Sequence, residues 1–174
     1  ARDLISDIEK ELYLNLCDEI SFYIEKIIDN AKTIGNLDSI LSLANASFKN
    51  RWSKPLVNYG MKISFLESSH PIIESTIGKN RFIKNDITLS NEEEQISIIT
   101  GPNMSGKSTY IRQAALLVIL SQIGCFIPAK KSIVGIIDKI FTRAGLSDDI
   151  SGGNSTFMIE MLETASILNQ STNR

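Results

Sequence analysis

The sequence predicts an α/β fold with a mixed sheet and flanking helices, preceded by a helical segment. Three observations predict it. Apolar residues recur at spacings of three and four from Leu4 through Phe48, the period of a helix with one apolar stripe. Around Pro55 that period gives way to short runs rich in β-branched residues. A run containing Ile96, Ile98 and Ile99 then enters a glycine-bearing loop, and a long apolar pattern follows from Lys107. Strand, glycine-rich loop and helix in that order belong to an α/β nucleotide-binding domain.

The elements follow in chain order. Leu4, Ile5, Ile8, Leu12, Leu16, Ile20, Tyr23, Ile24, Ile27 and Ile28 form one helical stripe, which Gly35–Asn36 is expected to break. A second helix resumes at Leu37 and runs through Ile40, Leu41, Ala44 and Phe48. Residues 61–66 read as a strand, His70–Pro71 as a turn, and residues 83–89 as a loop running into a second strand. Residues 95–100 suit a buried strand. Residues 107–124 read as a helix, 139–143 as a strand and 155–168 as a last helix.

Gross numbers narrow the function classes. The chain has 174 residues, 43% apolar and 22% charged, ordinary for a globular protein and room for one domain plus a piece of its neighbour. Its net charge of −2 lacks the basic excess of a module that grips DNA through its own surface. Cys17 and Cys125 lie far apart and suit neither a disulfide framework nor a zinc site. Each reads as a small apolar residue in a reduced, cytoplasmic protein. The longest apolar run, residues 114–120, is far short of a membrane span.

Gly101-Pro102-Asn103-Met104-Ser105-Gly106-Lys107-Ser108 fills every fixed position of the phosphate-loop pattern. Gly101 and Gly106 permit backbone angles and close approach that a side chain prevents. Successive N–H groups can form a nest for phosphate oxygens beside the positive end of the following helix. Lys107 can reach the β- and γ-phosphates, and the Ser108 hydroxyl can ligate Mg²⁺. ATP and Mg²⁺ are therefore the expected cofactors.

The run from Thr100 to Thr109 resembles the phosphate loop of the MutS family of DNA mismatch-repair ATPases, with its Gly-Pro-Asn-Met opening. Tyr110-Ile-Arg-Gln113, Gln122-Ile-Gly124, Pro128-Ala129, Ile140-Phe-Thr-Arg143, Gly145 through Asp149 and Ser155 through Met161 are similar to successive blocks of that family. Upstream, His70-Pro-Ile-Ile-Glu74 is similar to the entrance of its ATPase domain, and Leu37-Asp-Ser-Ile-Leu41 to the end of its lever and clamp arm. The resemblance implies an ABC-type P-loop NTPase fold. It implies a lever or arm segment over 1–54 and the first portion of the ATPase domain over 55–174.

The resemblance also implies roles for particular residues. Ser151-Gly152-Gly153-Asn154-Ser155 resembles the signature loop offered to a partner subunit's nucleotide; on the residues alone, Ser155 reads equally as a plain helix cap. Phe82, with Ile83 beside it, matches the position where an aromatic ring stacks on adenine, against a burial-based reading of Phe82 as core. His70 reads as structural, because no nucleophile or metal-ligand cluster accompanies it. Asp148 and Asp149 read as orienting the loop that follows, and Lys130 and Lys131 as a solvated pair.

As a whole, the resemblance implies a dimeric ATPase that recognises mismatched double-stranded DNA, mainly through other domains, and couples ATP binding and hydrolysis to its clamp. Its partners would be a second MutS-type subunit and a MutL-type repair ATPase, with no membrane. Its location would be the cytoplasm, on the nucleoid, or the nucleus in a eukaryote. The Asp-Glu strand expected beyond the Ser155 helix does not occur by Arg174, so residues 1–174 alone are expected to be inactive. Two alternatives remain at this point: a related junction or recombination ATPase without mismatch reading, and a nucleotide-sensing interaction module without catalysis.

Overall fold

The structure is a computed structural model, and it describes residues 2–79, 81–142 and 156–173. Two compact units divide the chain, Ala1–Asn45 and Ala46–Arg174. The first is helical: α1 spans Arg2–Ser21, and α2 begins at Ile24 and runs to Asn50, into the second unit. The helix break falls at Phe22–Tyr23 and not at Gly35–Asn36 as expected. Gly35 keeps a helical backbone with negative φ, a cost of about 0.5–1 kcal/mol relative to Ala that a 27-residue helix absorbs. At the actual break the Ser21 hydroxyl donates to the Asp18 carbonyl (2.6 Å), competing with the helical ladder.

The second unit carries a four-stranded mixed sheet in the order β1-β4-β2-β3. β1 is Leu56–Asn58, β2 Lys62–Ser68, β3 Asn85–Ser90 and β4 Lys131–Gly135. β1 and β4 run parallel, and β2 is antiparallel to both β3 and β4. Phe65 of β2 and Ile87 of β3, paired across the two strands, are buried and give the sheet an apolar face. Helix α4, Lys107–Gln122, covers that face. Its Leu117 and Val118 pack with Phe65, Ile87, Ile127 and Val134 into the core, flanked by Ile63, Tyr110, Ala114 and Leu120. Cys125 is also buried, whereas Cys17 is exposed on α1 and is not the packed residue expected.

Three further expectations fail, each for a local reason. His70–Pro71 is not a simple turn but the start of a short helix, α3 (Pro71–Ile77): Pro71 presets the first helical φ, and His70 caps it by accepting from the Ile73 N–H (3.5 Å). His70 is buried, and desolvation pushes its pKa below the ordinary histidine value. Residues 95–100 form no strand, and Ile96 and Ile98 are 83% and 85% exposed. A buried strand needs ladder partners on its flanks, and no described strand pairs with this run. Residues 139–142 form no strand either, and Arg143 lies outside the described residues. β1 and β4 were not expected: Leu56–Asn58 is too short to show a period, and Lys131–Gly135 follows the Lys130–Lys131 pair, whose Lys130 forms an ion pair with Glu67.

Helix α5, Thr156–Gln170, closes the described chain. No described helix is long and apolar enough to cross a membrane.

Candidate functional site

The phosphate-loop match sits between residues 95–100 and the first turn of α4. Gly106 is the N-cap of α4 in the left-handed region (φ 92°, ψ 7°), and no side chain caps the helix. The first N–H groups of α4 are thus left for another acceptor. Gly101 has φ 153°, and a Cβ there would stand 3.0 Å from Ser105 Oγ. Both positions therefore need glycine, one for conformation and one for close approach. Met104, the residue at the loop's crest, is also left-handed (φ 64°), and its side chain is fully exposed.

Lys107 folds back over this loop. Its Nζ donates to the carbonyls of Gly101 and Pro102, at 2.6 Å each. A charge so placed lies at the concave side of the turn and exchanges readily to an anionic oxygen, a stronger acceptor than a neutral carbonyl.

Beside the loop lies a cavity of about 430 Å³. Ser105, Gly106, Lys107 and Thr109 line one side, and Phe82, Ile83, Arg81 and Asn85 another. The fold thus brings together two parts of the sequence some twenty residues apart. Phe82 is only half-buried and Ile83 is exposed, so neither is a core residue. Gly101 and Pro102 join through the Lys107 bonds, while Asn103, Met104 and Ser108 are exposed and do not line the cavity. Ser151, Gly152, Gly153, Asn154 and Ser155 lie outside the described residues, as do Asp148 and Asp149.

Sequence reasoning missed seven cavity residues. Ile73 and Ile77 come from α3, whose start was read as a turn, Arg81 and Asn85 flank the Phe82–Ile83 pair, and Ile99 and Thr100 precede the loop. The seventh is Tyr110, three residues after Lys107 and so on the same helical face; that spacing was a usable signal. The Tyr110 hydroxyl donates to the Asp86 carbonyl (2.9 Å). Burial first, then the nearby carboxylates of Asp86 and Glu94, raise its pKa, so the phenol stays a donor.

Chemically, the arrangement offers two cations, Lys107 and Arg81, with the first N–H groups of α4 and an aromatic face around one opening. Among the described residues no group of three His, Cys, Asp or Glu could hold a metal ion. Ser105 and Thr109 bring hydroxyls to the cavity lining, and that of Ser108 is exposed in the first turn of α4. A hard cation that retains several waters accepts such a partial ligand set when phosphate oxygens complete it.

Residues 97–174 match the family model described as MutS domain V. The chain is 46% identical over 172 residues to the DNA mismatch repair protein MutS of Caldicellulosiruptor saccharolyticus, covering 99% of this chain and 20% of that protein. It is 45% identical over all 174 residues to the protein of the same name from Protochlamydia amoebophila, again 20% of its length. The corresponding protein of Lachnoclostridium phytofermentans is 44% identical over 172 residues, 99% of this chain and 18% of its own length. The chain thus spans about a fifth of the length of these relatives. On about 45% identity over alignments that cover 99–100% of the chain, with the MutS domain V match over residues 97–174, the chain belongs to the MutS family.

Proposed function

We propose that this chain is the ATP-binding part of a DNA mismatch-repair protein, one that recognises mismatched DNA and couples ATP binding and hydrolysis to the state of its clamp. The observation that carries the reading is the single cavity shared by Lys107 and the phosphate loop on one side and Phe82 with Ile83 on the other. A triphosphate needs the first and a purine the second. Residues 55–174 would be the first portion of a P-loop ATPase domain of ABC type, and residues 1–54 a lever segment.

In this reading the backbone N–H groups of residues 103–109 cradle the phosphates and Lys107 leaves its two carbonyls for the γ-phosphate. The Ser108 hydroxyl would hold Mg²⁺ together with phosphate oxygens, and the ion would supply neutralisation of phosphate charge. Phe82 offers its ring to the adenine. In the same reading the protein acts on mismatched double-stranded DNA as a dimer with a second MutS-type subunit and hands on to a MutL-type ATPase; the relatives' name, DNA mismatch repair protein MutS, supports the mismatch-repair part of it.

The test is base recognition. Phe82→Ala removes a stacking partner worth about 0.5–1.5 kcal/mol beyond simple burial, so ATP affinity falls about threefold to tenfold while the fold survives, because Phe82 is outside the core cluster. Calorimetric titration and circular dichroism check both halves. Unchanged affinity in a folded variant, or an unfolded variant, returns Phe82 to a structural role.

Ser155 tests the dimer. If the 151–155 loop closes the partner's site, a mixed dimer with Lys107→Ala in one subunit and Ser155→Ala in the other damages one composite site twice and retains hydrolysis at the second. Hydrolysis as low as in a dimer with both sites ruined removes the trans assignment.

A further inference from the structure

Gln113 on α4 is fully buried (0% exposed) and does not line the cavity, yet it is polar. Its Nε2 donates to Ser68 Oγ (2.8 Å), and the Ser68 hydroxyl donates to the Asn85 carbonyl (2.8 Å). Asn85 Nδ2 in turn donates to the Ile83 carbonyl (3.1 Å). Three bonds in series therefore run from the second turn of α4, through the end of β2, to the backbone beside Phe82. The series has a fixed polarity. The Gln113 N–H occupies the Ser68 oxygen, which turns the Ser68 hydrogen toward Asn85.

A parallel brace lies one residue further on. The Tyr110 hydroxyl holds the Asp86 carbonyl (2.9 Å), and the Glu67 N–H holds Asp86 Oδ1 (2.7 Å). Glu67 reaches that position because β2 departs from regular register between Phe65 and Ser68, with Glu67 at φ 47°. Both braces leave α4, the helix that the phosphate loop opens; the first ends on the Ile83 carbonyl in the loop that carries Phe82, and the second on Asp86 in β3, the strand that follows that loop.

The other end of the Gln113 amide marks it as more than packing. Its Oε1 is buried with no partner, a state that buried polar atoms rarely occupy. An apolar side chain of similar volume would avoid that orphaned oxygen, so retention of the amide points to its N–H as the needed group.

We infer that Gln113, acting through Ser68 and alongside Tyr110, is a positioning residue that fixes the Phe82–Ile83 loop relative to the phosphate loop, and so sets the preference for a base-bearing triphosphate over bare polyphosphate. The inference rests on the nucleotide reading of the cavity. Gln113 and Ser68 act from behind the wall, because neither lines it.

The experiment titrates the intact protein with ATP and with inorganic tripolyphosphate, in wild type, Gln113→Met, Ser68→Ala and Ser68→Cys, with Lys107→Ala as control. In the first three variants ATP affinity falls about threefold to tenfold, the range a lost stacking contact implies, while tripolyphosphate affinity stays at the wild-type value. The ATP-to-tripolyphosphate ratio is the readout that simple loosening does not move. Equal weakening of both ligands, or no change in either, overturns the inference. Should Gln113→Met and Ser68→Ala unfold the protein, Ser68→Cys, which keeps the side chain close to its size and weakens both of its hydrogen bonds, decides alone by the same ratio. If Lys107→Ala binds both ligands as wild type does, the nucleotide reading itself falls and takes the inference with it. If Lys107→Ala weakens both while the other variants keep the wild-type ratio, only the inference falls.

Discussion

Lys107→Ala weakens ATP binding by about tenfold or more in the intact protein, as loss of a charge-assisted contact of about 1.5–3 kcal/mol implies. Lys107 is the one loop side chain whose charge lies at the concave side, held there by the Gly101 and Pro102 carbonyls. Two effects act in the same direction when it is removed. The variant loses the cation that meets the β- and γ-phosphates, and it frees two carbonyls whose partial negative charge then faces the ligand. The second effect adds to the first for a triphosphate, since nothing else on the loop carries positive charge. The fold should be unaffected, because Lys107 is outside the core and its bonds are to exposed loop carbonyls. Titration calorimetry with ATP checks the affinity and thermal melting checks the fold. Equal affinity in wild type and variant would dismiss the phosphate loop as the seat of binding.

How much of this was legible in the sequence varies with the physics of each element. β2, β3 and α4 were readable because their periods are produced by burial on one face, and that burial is local to the unit. The run 95–100 has the composition of a buried strand, but composition fixes the preference of a segment and not whether a neighbour is there to pair with it. The helix break at Phe22–Tyr23 was illegible for another reason: glycine marks weak points, yet a long helix tolerates one when neighbouring turns hold. His70–Pro71 carried both a turn signal and a helix-start signal, and the choice depended on whether the following Ile72 and Ile73 propagated a helix.

The site was legible in its motif and not in its wall. Gly101, Gly106 and Lys107 announce themselves because phosphate geometry demands those residue types at that spacing. Phe82 needed the family resemblance, since an isolated aromatic ring says nothing of its own exposure. Tyr110 and Gln113 were quoted only as part of a matching block. Their bonds to Asp86 and Ser68 span 24 and 45 residues, and no local pattern encodes a contact over such a separation.

Leu117→Ala lowers the stability of the second unit by about 2–5 kcal/mol. Leu117 is fully buried at the centre of the cluster that joins α4 to the sheet, among Phe65, Val118, Ile127 and Val134. Truncation removes the transfer free energy of the lost methyl and methylene groups and leaves a cavity that a sheet on one side and a helix on the other can close only in part. The expected loss lies toward the upper end of the range, because the facing residues come from β2, β4 and the run before β4, which hydrogen bonds hold in register. A helix that can tilt would recover some packing, but α4 is also pinned along its core-facing side by Gln113 to Ser68 and by Gln122, whose Nε2 and Oε1 bond the Ile137 carbonyl and N–H (3.0 and 2.7 Å). Denaturant unfolding followed by circular dichroism measures the change as a lower midpoint at an unaltered slope. A loss under about 1 kcal/mol would mean that α4 moves freely on the sheet, and a mobile α4 could not carry the phosphate loop and the Phe82 loop as one rigid frame.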